Sequence, residues 1–297
     1  MHFEPFVFFA ACLLALGTGM LTGAFGVGGG ILLIPCLVIF LKVPGAIAVG
    51  TNLLVVLAVS SVSLLQRRGT ATVDHKLAIM GCIGSAAGVI FGQRLLQYLK
   101  GVPAIQLAGK DQSLLEYVLL WMFLAILSWV AILLFVDYRR NRMKVAAQGV
   151  LPPFVSFRMG PWMIFPTVTA GALSLPAVLM LGGGIGFLIG LPGVAGGVFW
   201  LPALLYLVGQ KPAVAAGTSL LIIWISSLIG SGLNVWSGNV DWPLCGFMVA
   251  GGILGSWYGT RIGLRLDGAR LKYYFIYVLL AAIVIVGAKV LAMTMGW

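Results

Sequence analysis

Long apolar stretches separated by short polar loops dominate the pattern of this 297-residue chain. A run of about 18 or more apolar residues is long enough to cross the hydrocarbon core of a bilayer as a helix. Two further apolar regions are longer and are interrupted by clusters of glycine, so each predicts a helix, a break and a second, shorter helix. The uninterrupted stretches are 44–65, 76–99, 114–136, 212–235, 243–260 and 273–295, and the glycine-broken regions are 5–41 and 161–209.

The second half of the chain repeats the first. When residues 19–99 are aligned without gaps on residues 186–266, at a constant offset of 167, 24 of the 81 positions are identical. Nine of the shared residues are glycines, and the others include a proline at the end of each break and the threonine of a Gly-Thr pair that begins fifteen residues later. Internal repeats in a hydrophobic chain are typical of secondary transporters.

The number of segments in each repeat predicts how the halves are oriented. If the short helices after the breaks, 30–41 and 197–208, count as passes, each half has about five segments, and an odd number inverts the second half. With the N-terminus outside, one face collects 13 Lys and Arg residues and the other face five, which supports inversion. We expect membrane repeat 1 at 1–145, a basic cytoplasmic linker at 146–160 and membrane repeat 2 at 161–297.

The length of the two short helices leaves one point open. A helix of about 12 residues rises only ~18 Å, which is too short to span the bilayer alone. We therefore predict half-helices near the bilayer midplane, and whether they span or re-enter stays open. The predicted fold class is an all-α polytopic membrane protein with two inverted-topology repeats.

Composition narrows the class of protein. The chain is 61% hydrophobic and 8% charged, about a third of the charge of a soluble domain. The net charge of +11 comes from basic residues in short loops, so membrane topology explains it better than a nucleic-acid partner. The four cysteines lie in apolar segments without metal-ligand spacing, and we interpret them as packing residues. We expect neither a metal site nor a resident cofactor.

The glycine-rich breaks are the first part of a candidate substrate site. Consecutive glycines unwind a membrane helix and expose backbone groups, which is tolerated only against protein or a watery cavity. The helix that restarts after each break directs free amides and the positive end of its dipole into that cavity, which suits an anion. Close helix packing is one alternative, and a dinucleotide-binding loop is another, which is disfavoured because no strand or ribose-binding acid accompanies the glycines. The candidate residues are Gly26, Gly28, Gly29, Gly30, Gly193, Gly196 and Gly197.

Two other glycine ladders have a simpler interpretation. Their members recur every four residues, so they lie on one helix face and allow a neighbouring helix to approach closely. These ladders are Gly84, Gly88 and Gly92, and Gly251, Gly255 and Gly259.

Polar residues at the start of the following helix form the second part of the candidate site. Hydroxyl and amide groups donate to an oxyanion without the desolvation cost of a buried lysine. Such side chains more often bond their own backbone or a neighbouring helix, but the recurrence in both halves favours a site. The candidates are Thr51, Asn52, Thr218 and Ser219, with Asn234 and Asn239 as weaker ones.

Four charged residues occupy equivalent positions in the two halves. Asp74 and Asp241 precede a long apolar stretch, where a carboxylate caps a helix N-terminus, and we favour that role over proton transfer. Arg94 and Arg261 lie near helix ends, where they either attract an anion or anchor the helix at the interface.

The glycine-rich break that ends in proline, followed by Gly-Thr and present twice, resembles the TauE/SafE family of sulfite exporters. The resemblance covers residues 10–100 and 180–295. It implies transport of small sulfur-containing anions, such as sulfite, sulfoacetate or related organosulfonates, across a prokaryotic cytoplasmic membrane. The second break departs from the first, since Pro192 and Ala195 replace Phe25 and Gly28, so we expect the two half-sites to differ.

The leading functional hypothesis is a multi-pass secondary transporter that works by alternating access. An anion channel of similar selectivity and an intramembrane enzyme or accessory subunit are the alternatives, although the chain lacks the paired acids or nucleophile motif of an enzyme. The expected partners are a small anionic substrate and membrane lipid. Both H⁺ and Na⁺ stay open as coupling ions, and a homodimer stays open as the assembly.

Overall fold

Helices make up most of the fold, which is a computed structural model. It describes residues 5–26, 28, 30–68, 73–102, 105–107, 110–112, 114–143, 160–164, 167, 172–194, 196–265, 280, 283–288 and 290–291. Within these ranges the α-helices are α1 (Pro5–Phe25), α2 (Gly30–Ile39), α3 (Gly45–Gln66), α4 (His75–Lys100), α5 (Leu114–Met143), α6 (Leu175–Gly190), α7 (Gly197–Pro202), α8 (Pro212–Trp236) and α9 (Trp242–Arg265).

The apolar stretches predict the helix positions closely. The predicted stretches 44–65, 76–99 and 212–235 agree with α3, α4 and α8 to within one residue at each end. Within the described ranges, α1, α3, α4 and α8 are the four helices long and apolar enough to cross a membrane. The prediction of a helical membrane protein is confirmed.

Both glycine-rich regions contain the predicted helix break. Residues 26–29 separate α1 from α2, and residues 191–196 separate α6 from α7. Gly26 and Gly193, which are equivalent in the repeat, both have a φ of 69°, and Gly28 has a φ of 73°. Glycine adopts this left-handed conformation at little cost because it has no Cβ. Both helices therefore end in the same kind of turn.

Each short helix ends in a widened turn. The N–H of Val43 bonds the carbonyl oxygen of Leu37 at 3.1 Å, and the N–H of Gln210 bonds that of Leu204 at 2.8 Å, a spacing of six residues in both halves. α7 leads directly into a π-helical turn, Ala203–Leu207. Such wide turns are uncommon in regular helices. The repeat therefore extends to the backbone geometry of the short helices.

The two halves exchange their first helices. α1, from the first half, packs mainly on α9, and its counterpart α6 packs mainly on α4. α3 and α8 contact each other, and they also contact α9 and α4 respectively. The helices contact one another in the order α1, α9, α3, α8, α4, α6. Interchanging the two halves reverses this order but leaves the same helices as neighbours. The apolar core lies between these helices and α2, α5 and α7, and its largest fully buried side chains are Trp200 on α7 and Phe123 on α5.

The two glycine ladders make this exchange possible. A Cβ on Gly88 would lie 2.1 Å from the carbonyl oxygen of Gly183 in α6, and one on Gly255 would lie 2.0 Å from that of Leu16 in α1. The other four ladder members would meet carbonyl oxygens of the same two helices at 2.1–2.7 Å. Only glycine allows the backbones to approach this closely. The packing interpretation of both ladders is confirmed.

Two short β-ladders were not predicted. β1 (Ile105–Leu107) pairs antiparallel with β2 (Lys110–Gln112), and β3 (Trp162–Ile164) pairs antiparallel with β4 (Ala172–Ser174). Both lie between long helices. Strands of three residues are too short to give a periodic signal in the sequence. The expectation of a purely α-helical chain is corrected to this extent.

Two predicted segments fall mainly outside the described residues. The linker at 146–160 is described only at Gly160. The apolar stretch 273–295 is described at residues 280, 283–288 and 290–291, all of which are helical.

Candidate functional site

The polar residues near the start of α3 and α8 contact the glycine breaks of the opposite half. Nδ2 of Asn52 donates to the carbonyl oxygen of Gly193 at 2.8 Å, and Oγ of Ser219 donates to the carbonyl oxygen of Gly26 at 3.1 Å. All four residues are buried. Because both members of one contact are repeat equivalents of the members of the other, the two contacts are reciprocal. The structure thus brings four predicted site residues together as two pairs.

Each break is enclosed by helices of the opposite half. A Cβ on Gly193 would lie 2.8 Å from a methyl carbon of Val49 and 3.0 Å from one of Ile34. A Cβ on Gly26 would lie 2.7 Å from the carbonyl oxygen of Ala216. Neither glycine has room for a side chain, so atoms of the opposite half pack directly against its backbone.

The remaining predicted glycines belong to the same two breaks. Those that the structure describes are fully enclosed by protein, and Gly29 lies outside the described residues. The buried ones are Gly28, Gly30, Gly196 and Gly197.

The two predicted threonines hold the start of a long helix from the opposite half. Oγ1 of Thr218 accepts a hydrogen bond from the N–H of Asp74 at 3.0 Å, and Oγ1 of Thr51 accepts one from the N–H of Asp241 at 3.3 Å. Both threonines are buried. These contacts place each Gly-Thr pair beside the beginning of α4 or α9.

The two aspartates cap those helices, as predicted. Oδ1 of Asp74 accepts from the N–H of Leu77 at 3.0 Å, and Oδ1 of Asp241 accepts from the N–H of Leu244 at 2.9 Å. A side-chain oxygen bonded to the amide three residues later is the usual N-cap geometry. The two carboxylates are therefore committed to helix ends.

The weaker candidates Asn234 and Asn239 form a polar chain beside α3. Nζ of Lys100 donates to Oδ1 of Asn239 at 2.6 Å, and Nδ2 of Asn239 donates to Oδ1 of Asn234 at 3.2 Å. A Cβ on Gly50 would lie 2.1 Å from the carbonyl oxygen of Asn239. The glycine of the first Gly-Thr pair is thus required for close backbone contact.

Arg94 and Arg261 lie on the outside of the helix bundle. Both side chains are exposed, and the guanidinium of Arg261 lies 4.7 Å from the centre of the Trp257 ring. An arginine stacked on an exposed tryptophan is a common arrangement at a membrane interface. Neither arginine has a hydrogen bond to a break among the contacts of the described residues.

Sequence reasoning missed a charged residue that contacts α1 just before the first break. Arg67 follows α3 and is only 4% exposed, and its Nη2 donates to the carbonyl oxygen of Gly23 at 3.3 Å, one helical turn before Gly26. Among the Lys and Arg residues whose burial the structure describes, it is the only buried one. Burial lowers the pKa of its guanidinium, which stays protonated at neutral pH. The sequence shows two adjacent arginines, and only packing distinguishes Arg67 from the exposed Arg68.

A cluster of hydroxyl groups adjoins Gly23 and Arg67. The Oγ atoms of Ser63 and Ser256 are 2.7 Å apart, and Oγ1 of Thr260 donates to Oγ of Ser63 at 3.3 Å. A Cβ on Gly23 would lie 2.8 Å from Oγ1 of Thr260. The first break is therefore approached by one cation and several hydroxyls from α3 and α9.

Comparison with known proteins identifies the family. The family model described as "Sulfite exporter TauE/SafE" matches residues 11–286, nearly the whole chain. The chain belongs to the TauE/SafE sulfite exporter family. The resemblance drawn from the doubled glycine-rich motif is confirmed.

The TauE/SafE assignment agrees with curated relatives. The chain is 26% identical to the "Probable membrane transporter protein YunE" of Bacillus subtilis (strain 168) over 286 residues, covering 94% of this chain and 95% of that protein. It is 23% identical to the "Probable membrane transporter protein YjnA" of the same organism, with 91% and 96% covered. A shorter match of 103 residues is 35% identical to a "Probable membrane transporter protein" of Xylella fastidiosa (strain Temecula1 / ATCC 700964), covering 34% of this chain and 40% of that protein.

No solved structure matches the chain. The family and the relatives together support a membrane transporter.

Proposed function

We propose that this TauE/SafE protein is a secondary transporter of small sulfur-containing anions, such as sulfite, sulfoacetate or related organosulfonates. We place it in the cytoplasmic membrane of a prokaryote. The observation that carries the proposal is the contact between Ser219 and Gly26, which holds a hydroxyl of one half at the backbone break of the other. It is not an enzyme in this proposal.

An anion is favoured by the groups around the first break. α2 is ten residues long and begins at Gly30, so its first amides lack partners within the helix and carry the positive end of its dipole. The Arg67 guanidinium adds a full positive charge one turn away at Gly23. Sulfite and sulfonate oxygens are strong acceptors that match amide, hydroxyl and guanidinium donors.

The proposed substrate site consists of the residues that the two halves bring to the breaks. Thr51, Asn52, Thr218 and Ser219 supply the polar groups, and the break glycines supply backbone amides. Arg67 joins this set, whereas the exposed Arg94 and Arg261 are proposed only to attract anions over a longer distance.

Alternating access is proposed for two inverted repeats around these breaks. Because Asn52 and Ser219 each bond a break of the other half, rocking one half against the other would strain one contact or the other in turn. The excess of positive residues on one face, 13 against five, supports the inverted orientation.

Counterflow in liposomes tests the proposed activity. We expect purified protein, reconstituted in vesicles, to take up labelled sulfite or sulfoacetate with a rate that saturates and that rises when the same anion is inside. A rate that stays linear with concentration and is insensitive to internal anion would instead support a channel. Absence of uptake for every sulfur anion tested would contradict the proposal.

A further inference from the structure

Two amide side chains bond backbone carbonyls at the second break. Nε2 of Gln93, on α4, donates to the carbonyl oxygen of Gly190 at 2.7 Å. Nδ2 of Asn52, on α3, donates to the carbonyl oxygen of Gly193 at 2.8 Å. The two carbonyls belong to residues three positions apart, at the end of α6 and in the segment that follows it. Both amides therefore bond the segment in which α6 ends and the second break begins.

Each of these amides leaves its oxygen unpaired. Oδ1 of Asn52 and Oε1 of Gln93 are buried atoms with no hydrogen-bond partner in the described structure, and the two side chains are 0% and 3% exposed. The orientation of each amide is set by chemistry, because a backbone carbonyl can only accept and so must face the NH₂ group. Burying an acceptor without a partner costs desolvation free energy, so a ligand that bonds these two oxygens would stabilise the protein.

The equivalent positions at the first break have no unpaired amide oxygen. Asn52 corresponds to Ser219, whose single hydroxyl proton is shared between the carbonyl oxygens of Gly26 and Ala216. Gln93 corresponds to Thr260, which donates to Ser63. Hydroxyls replace both amides there, and the buried guanidinium of Arg67 lies nearby. The first break is thus rich in donors and positive charge, while the second has two unpaired amide oxygens and one unpaired donor, the indole N–H of Trp200 beside Gly196.

We propose that the second break binds a Na⁺ ion through Oδ1 of Asn52 and Oε1 of Gln93, with backbone carbonyls of the break as further ligands. This proposal rests on the proposed transport function, in which Na⁺ is the coupling ion. Hard cations prefer oxygen ligands, and a set of neutral oxygens suits a monovalent ion, since divalent sites normally include carboxylates. The freed carbonyls of a broken membrane helix are a known means of coordinating such an ion.

The titratable groups near the breaks favour Na⁺ over a proton at this position. Neither Asn52 nor Gln93 can carry a proton at physiological pH. The carboxylates of Asp74 and Asp241, at the nearest helix starts, are committed to N-caps. Na⁺ therefore requires no group beyond the two amide oxygens and the backbone carbonyls of the second break.

Direct binding of ²²Na⁺ to the purified protein, without any anion, tests the site. We expect saturable binding to the wild type that excess unlabelled Na⁺ displaces and choline does not. Asn52→Ser and Gln93→Thr each install the residue of the other half, which keeps a group able to bond the break while removing the amide oxygen. Each change should weaken Na⁺ affinity by at least about tenfold. Gln97→Thr, one turn further along α4, is the matched control and should bind as the wild type does.

The outcomes separate this site from the transport proposal. No saturable ²²Na⁺ binding to the wild type would overturn the site, and so would unchanged affinity in both variants, each checked for a monodisperse elution profile. Because the wild-type result does not depend on any variant, a variant that fails to fold leaves the test intact. Sulfite or sulfoacetate binding without Na⁺ binding would remove the ion site and keep the proposed function. Na⁺ binding without binding of any sulfur anion would keep the ion site and contradict the proposed function.

Discussion

The amide nitrogen of Asn52 lies 2.8 Å from the carbonyl oxygen of Gly193, so a polar side chain of the first repeat is held at the helix break of the second. Ser219 repeats the contact in the opposite direction, toward Gly26 at 3.1 Å. The halves are therefore joined at the two places where their backbone is least regular.

The glycine ladders should tolerate no added methyl group. Gly255→Ala would place a Cβ 2.0 Å from the carbonyl oxygen of Leu16 and push α9 away from α1. We expect a loss of about 1–3 kcal/mol of stability, as for other overpacked sites. Thermal unfolding in detergent measures it. Gly246→Ala on the same helix, where nothing lies within 4 Å, is the control and should be neutral or slightly stabilising.

Asp241 should act as a helix cap and not as a proton carrier. Asp241→Asn keeps an oxygen that can accept from the N–H of Leu244, so transport and stability should both be nearly unchanged. Asp241→Ala removes the cap and should cost about 1 kcal/mol of stability. Thermal unfolding and vesicle uptake measure the two quantities. Loss of uptake in Asp241→Asn, with stability retained, would show that the interpretation as a cap is incomplete.

Lys42 should be replaceable by glycine with a gain in stability. Lys42 has a φ of 51°, and its repeat equivalent, Gly209, has a φ of 79°. A left-handed conformation costs a non-glycine residue about 1–2 kcal/mol, which a substitution by glycine would remove. Glycine also loses more backbone entropy on folding, so part of this stabilisation is cancelled. We expect Lys42→Gly to raise stability by about 0.5–1 kcal/mol. Lys42→Ala, which removes the charge but keeps the Cβ, should give no such gain in thermal unfolding.

Arg67 and Arg68 should differ sharply although they are adjacent. Arg67 is buried beside Gly23, whereas Arg68 is exposed. Arg67→Gln should weaken anion affinity by about 10- to 100-fold, the range for a hydrogen bond to a charged group. Arg68→Gln should leave it within about twofold, because an exposed charge is screened. Equal, small effects of both changes on anion binding would argue against Arg67 as part of the site.

The local elements of this fold were predictable from the sequence. Uninterrupted apolar runs predicted α3, α4 and α8 to within one residue, because a bilayer fixes how long a spanning helix must be. Clustered glycines predicted both breaks, and the position of Asp74 before a long apolar run predicted its role as a cap.

Long-range contacts were not predictable in the same way. The pairing of Asn52 with Gly193 depends on how the halves pack, and no sequence period encodes a partner 141 residues away. The burial of Arg67 and the unpaired oxygen of Gln93 have the same origin. The repeat still allows one prediction, because a contact found in one half indicates the equivalent contact in the other.

Anion binding to purified protein, measured by thermal shift and titration, tests most directly whether the breaks form the substrate site. The panel is sulfite, sulfate, sulfoacetate, taurine and acetate, with Ser219→Ala as the site variant. Ser231→Ala is the control, because its hydroxyl also lies on α8 and bonds only Leu228 of its own helix among the described contacts. We expect sulfite or sulfoacetate to stabilise the wild type and the control, with affinity about tenfold weaker in Ser219→Ala. No stabilisation of the wild type by any anion, or equal affinity in all three proteins, would contradict an anion site at the glycine breaks.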